Sequence, residues 1–119
     1  MTTLPRPTLP ALLCTLSCLL PAAAQADKQV LWGYGVRTCA DFESAAETAD
    51  AGDFAEYQRY EDWLTGFISG LNLAMGIDAL SGSGIDTAMI RTRKQCGEHP
   101  SDDFFNAAMR FVRTLSTLR

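Results

Sequence analysis

Chemistry-bearing residues are scarce in this chain. Histidine occurs once, at His99, and lysine twice, at Lys28 and Lys94. One histidine and no Cys-x-x-Cys leave no metal-ligand set or dithiol redox motif. Gly-x-Ser-x-Gly is missing, and the Ser81–Gly84 run (SGSG) has no following Lys-Ser/Thr, so neither a nucleophile elbow nor a phosphate-binding loop is encoded. The adjacent carboxylates Glu61-Asp62 and Asp102-Asp103 point about 100° apart on a helix and cannot form an acid/base dyad. Basic residues are nowhere clustered, which argues against nucleic acid as a partner. Together these absences read as a non-enzymatic chain that calls for no cofactor and no metal.

The N-terminus carries the clearest positive signal. Residues 1–26 hold one basic residue, Arg6, an apolar stretch from Leu9 to Ala24, and the small-x-small tripeptide Ala24-Gln25-Ala26. This is the pattern of a secretory signal cleaved before Asp27, giving a periplasmic or secreted protein. The stretch is too short to span a membrane and is interrupted by Pro10 and Pro21. A lipoprotein acylated at Cys18 is the alternative, although Thr15-Leu16-Ser17 lacks the usual leucine at the far position. Cleavage removes Cys14 and Cys18, leaving Cys39 and Cys96 in an oxidising compartment, where a disulfide is the default expectation.

Residues 27–119 suffice for one small domain. They carry nine Lys and Arg against fourteen Asp and Glu, a formal charge of −5. No second apolar segment follows, so a soluble mature chain without membrane insertion is expected. Residues 27–37 mix Trp32 and Tyr34 with Gly33 and Gly35 and read as an extended arm. From Thr38 onward the pattern predicts an all-α fold, residues 38–119 forming a bundle of about four helices.

The first helix is expected over 39–50, capped by Thr38, with Cys39, Phe42, Ala45, Ala46 and Ala49 on one arc. The second should run from an Asp53 cap to about Met75, its stripe being Tyr57, Tyr60, Leu64, Phe67, Ile68, Leu71 and Met75. Thr65, Gly66, Ser69 and Gly70 make its other side small. Each glycine costs about 1 kcal/mol in a helix interior, so Gly66 and Gly70 predict another backbone approaching closely. That would place this helix centrally, with neighbours on both sides. A third helix is expected over 86–95, stopped by Gly97 and Pro100, with Ile85, Ala88, Met89, Thr92 and Cys96 on its arc. The fourth starts at a Ser101 cap, with Asp102 and Asp103 in its first turn, and buries Phe104, Phe105, Ala108, Phe111, Val112, Leu115 and Leu118.

Both mature cysteines fall on the apolar arcs of their helices, which suits a buried structural disulfide joining the first and third. A bridge closing about 58 residues would contribute about 4 kcal/mol. His99 reads as an exposed loop residue. Trp63, beside the apolar stripe, reads as core or its edge, with a binding hot spot as the alternative. Packing explains Trp32 and Tyr34 less well, and these two are candidate partner contacts alongside Trp63, Gly66 and Gly70.

The run Thr38-Cys39-Ala40-Asp41-Phe42, a long Trp-containing helix and a helix ending at Cys96 before His99-Pro100 resemble the HdeA/HdeB-type periplasmic acid-stress chaperones. The resemblance covers about residues 38–115. It implies a small helical fold, a Cys39–Cys96 bridge with Pro100 after the second cysteine, and acid-triggered binding of unfolding clients. Full protonation of the carboxylates would carry the mature chain from −5 to about +11, favouring expansion or dissociation of a homodimer by self-repulsion. Most small acidic domains also become cationic and unfold in acid, so this arithmetic permits the chaperone without selecting it. A second resemblance is to the Tai-type immunity proteins, through Trp63-Leu64-Thr65-Gly66-Phe67-Ile68-Ser69-Gly70 and His99-Pro100. It implies a dedicated periplasmic protein partner. The departure is that residues 57–72 contain no cysteine, where that family usually carries one.

Overall fold

The computed structural model describes residues 2–8 and 30–115. The expected signal from Leu9 through the cleavage site at Ala26, with Cys14 and Cys18, lies outside the described residues, as do Leu118 and Arg119. Among the described residues the domain is all-helical. Its helices are α1 (Cys39–Asp50), α2 (Ala55–Met75), α3 (Ile85–Glu98) and α4 (Phe104–Thr114). None is long and apolar enough to cross a membrane.

Helix α1 forms as its sequence predicts. Thr38 is extended, its side-chain oxygen accepts from the Asp41 amide at 3.1 Å, and Cys39, Phe42, Ala45, Ala46 and Ala49 are all buried. The cap residue of α2 is Phe54 instead of the expected Asp53, whose side chain still accepts from the Ala55 amide at 3.1 Å, and Tyr60, Leu64 and Ile68 form the buried line of the helix. Met75, expected in that stripe, is instead 52% exposed in the last turn of the helix.

Two later boundaries also differ from expectation. Helix α3 continues through Gly97 to Glu98, with His99 as its C-terminal cap residue. In α4 the cap is Asp103, not Ser101: its carboxylate accepts from the Asn106 amide at 2.7 Å. The reason is tertiary. Asp103 pairs with Thr38 in an isolated antiparallel bridge, and the Phe104 amide donates to the Arg37 carbonyl at 2.9 Å. That pairing holds Asp103 extended, so helical dihedrals start at Phe104, two residues later than a Ser101 cap would place them. Asp102 is left free to accept from Arg110 Nε at 2.8 Å.

One contiguous core is built around an aromatic cluster. Phe42, Tyr60 and Phe104 are essentially inaccessible, with ring centroids 4.7 to 5.0 Å apart in tilted or edge-to-face pairs. Burial pushes the Tyr60 phenol up to about 12. The turn between α2 and α3 contributes Ala79 and Leu80 to the core, a role its glycine- and serine-rich sequence conceals. Asp78 shapes that turn by accepting from the Leu80 and Gly82 amides.

Two covalent and ionic ties join α1 to α3. Cys39 and Cys96 form the disulfide, with Cα atoms 5.2 Å apart. Farther along the seam, Arg93 meets Glu43 at 2.7 Å and Asp50 at 2.9 Å. A charge-assisted fork of this kind fixes the two helices in register.

Candidate functional site

Trp63, half-buried, organises a surface that it shares with the exposed Trp32 and the half-buried Phe67. It sits on α2 next to the buried line, stacks parallel on Phe67 at 5.3 Å and presents its ring to Phe104 at 6.0 Å. Its indole N–H donates to the Trp32 carbonyl at 2.8 Å, anchoring the chain that precedes α1. That segment is not simply extended, as the sequence predicts, because Gly33–Val36 wind into a short 3-10 turn. Two glycines allow it to lie flat on the indole. Gly33 adopts φ +77°, and a Cβ at the buried Gly35 would overlap the six-membered ring of Trp63.

This anchorage leaves an open groove of about 430 Å³ lined by Val30, Leu31, Trp32, Asp62, Trp63, Gly66 and Phe67. Trp32 is 79% exposed beside it. Covering a ring of that size is worth about 2–3 kcal/mol, which the isolated fold forgoes. Nothing lies within 4 Å of a Cβ built at Gly66, so that wall is bare helix.

Of the five candidate contact residues, the fold brings Trp32, Trp63 and Gly66 together. Gly70 lies one turn further along the same exposed face without lining the groove. Tyr34 is engaged by its own chain. Its ring meets Tyr60 edge-on at 4.7 Å, the Arg37 guanidinium lies 4.5 Å over it, and its hydroxyl accepts from Arg59 at 3.4 Å.

The expectation that α2 has neighbours on both sides is corrected here. The buried residues of α2 form a single stripe, whereas Thr65, Gly66, Ser69 and Gly70 face solvent, and among the described residues nothing lies within 4 Å of a Cβ built at either glycine. The hydroxyls of Thr65 and Ser69 turn inward to the Glu61 and Thr65 carbonyls at 2.8 and 2.7 Å. The face is therefore smooth, with its side-chain donors already satisfied. Leu73, 86% exposed, sits at its far end.

Sequence reasoning missed Val30, Leu31, Asp62 and Phe67 as groove residues. Phe67 reads as ordinary core by its spacing. Asp62 reads as a solvated charge, and its carboxylate accepts from Gln58 at 3.1 Å. Helix α2, which supplies Asp62, Trp63, Gly66 and Phe67 to the groove, carries Glu56, Glu61 and Asp62 against Arg59. Crowding shows at Glu61, whose carboxyl is raised first by partial desolvation and then by Asp86. Arg110 instead lowers Asp102.

Two other hollows are smaller or more polar. One of about 230 Å³ lies over the buried disulfide, between Cys39, Glu43, Cys96 and Pro100. The other is bordered by Arg91, Lys94 and Phe111. Among the described residues no group of three or more His, Cys, Asp or Glu gathers to hold a metal ion.

The class defined by this geometry is a small, disulfide-stapled helical domain with an exposed aromatic groove. Comparisons with protein-family models, curated proteins and solved structures each return no match.

Proposed function

We propose that this chain is an exported, non-enzymatic protein-binding factor. The observation carrying that reading is the groove where Trp32, Trp63 and Gly66 meet, an apolar surface uncovered on an otherwise well-packed domain. A buried Cys39–Cys96 disulfide fits an oxidising compartment and supports export. The specific version is an acid-stress chaperone of the HdeA/HdeB type. The stapled helical domain and the net acidic charge of the chain are compatible with it. Protonating Glu43 and Asp50 would loosen the α1–α3 seam, where Arg93 depends on both, while the disulfide keeps the chain connected.

A Tai-like immunity role is the second reading. It is favoured by the smooth Gly66–Gly70 face, which suits one tight neutral-pH partner.

The deciding experiment is light scattering of an acid-labile client at pH 2–3, with and without the oxidised protein, and particle sizing at pH 7. Suppressed aggregation only in acid, with a dimer falling to monomer, supports the chaperone. Unchanged aggregation, with a stable folded species at pH 7, transfers the reading to a dedicated partner.

A further inference from the structure

We propose that the groove takes one extended segment of a partner protein, an apolar side chain entering between Trp32 and Gly66 and a neighbouring Lys or Arg pairing with Asp62. This inference rests on the protein-binding reading and names the partner's chemistry.

Backbone geometry selects an extended partner. Trp32 has β dihedrals, φ −127° and ψ 156°, and Val30 and Leu31 before it belong to no helix or turn. Apart from the Trp32 carbonyl, which accepts from Trp63, residues 30–32 make no hydrogen bond among the described residues. A second extended chain could pair with these groups and send alternate side chains toward the groove floor. The floor is ready to receive them, because the Trp63 and Phe67 rings lie parallel within 3°. Gly66 leaves the opposite wall unobstructed.

Charge selects a basic partner. Asp62 is the charged residue lining the groove. The nearest base on the helix, Arg59, is hydrogen-bonded to the Tyr34 hydroxyl, and Arg37 pairs with Glu56 at 3.7 Å. Helix α2 carries Glu61 and Asp62 side by side at the groove, so an acidic segment would meet like charge, whereas a cationic flank is attracted.

The test uses the full oxidised chain and three nine-residue peptides, with binding read by tryptophan fluorescence and calorimetry. One peptide alternates lysine with leucine and phenylalanine, one replaces lysine by glutamate, and one is the lysine peptide N-methylated at its central apolar residues. The lysine peptide should bind at least tenfold tighter than either of the others. Asp62→Lys should reverse the preference between lysine and glutamate. Gly66→Leu, which adds a side chain in open space, should reduce binding at least tenfold while leaving the melting temperature unchanged or higher. Equal binding of the N-methylated peptide would overturn backbone pairing. Indifference to Asp62→Lys and Gly66→Leu, or no binding of any peptide, would overturn the site. Peptide binding without client protection removes the chaperone reading alone, and client protection without peptide binding removes this proposal alone.

Discussion

Thr92 is fully buried in α3, and its hydroxyl is the buried side-chain oxygen left without a hydrogen-bond partner among the described residues. Desolvating a hydroxyl without compensation costs roughly 1–3 kcal/mol, and valine matches threonine in shape. Thr92→Val is therefore expected to raise unfolding stability by about 1 kcal/mol, measured by urea denaturation with an unchanged slope. A lower midpoint would show that the hydroxyl has a partner. Residue by residue, such roles are unevenly legible. Thr92 reads correctly as a core position from its spacing with Ala88 and Cys96, but no pattern reveals whether a buried hydroxyl is satisfied. Trp63 is half legible: its edge position follows from the α2 stripe, while its bond to the Trp32 carbonyl joins residues far apart in sequence.

Helix α2 carries the largest disagreement between pattern and packing. Two interior glycines argue for a close neighbour, and none is supplied among the described residues. Without one, each glycine is a net cost. Gly70→Ala, outside the groove, should stabilise the isolated protein by about 1 kcal/mol, or roughly 4–8 °C in melting temperature. Scanning calorimetry decides this, and a decrease would mean that the face is covered in solution. The pattern was a sound indicator of a smooth face. It could not say whether the backbone that exploits such a face belongs to this chain. The α4 start shows the same limit. Ser101, Asp102 and Asp103 are all competent caps by type. The bridge to Thr38 chooses Asp103, a contact between segments 65 residues apart in the numbering.

At the scale of the whole molecule, stability depends on a staple and a charge imbalance. The disulfide spans 57 residues, so reduction should cost about 4 kcal/mol by the chain-entropy account. Melting curves with and without reductant test this, and coincident curves would refute it. Charge acts in two directions. Asp102 is lowered by Arg110, so its contribution is present above the unfolded carboxylate pKa and is lost as pH falls through the folded value. Glu61 is raised by desolvation and Asp86, so its contribution is full below the unfolded pKa and is lost as pH rises through the folded one. Glu61→Gln should accordingly raise the melting temperature at pH 7, the advantage shrinking as pH falls through the raised folded pKa and gone below the ordinary glutamate value of about 4. A constant difference across pH would exclude the carboxyl as its source.

The sequence by itself determined the helical class, the inward arc of α1, the pairing partners Cys39 and Cys96 and the acidic balance. Each follows from local periodicity, capping chemistry or counting. Only the tertiary structure decided that Trp32, Trp63 and Gly66 share a groove while Tyr34 is taken up by Tyr60 and Arg59. It also decided that one side of α2 stays bare. The physical reason is distance along the chain: the Trp63–Trp32 hydrogen bond and the packing of Gly35 on the indole join residues about 30 apart. A pattern read within one helical turn carries no information about which distant segment arrives, or about which face remains without one.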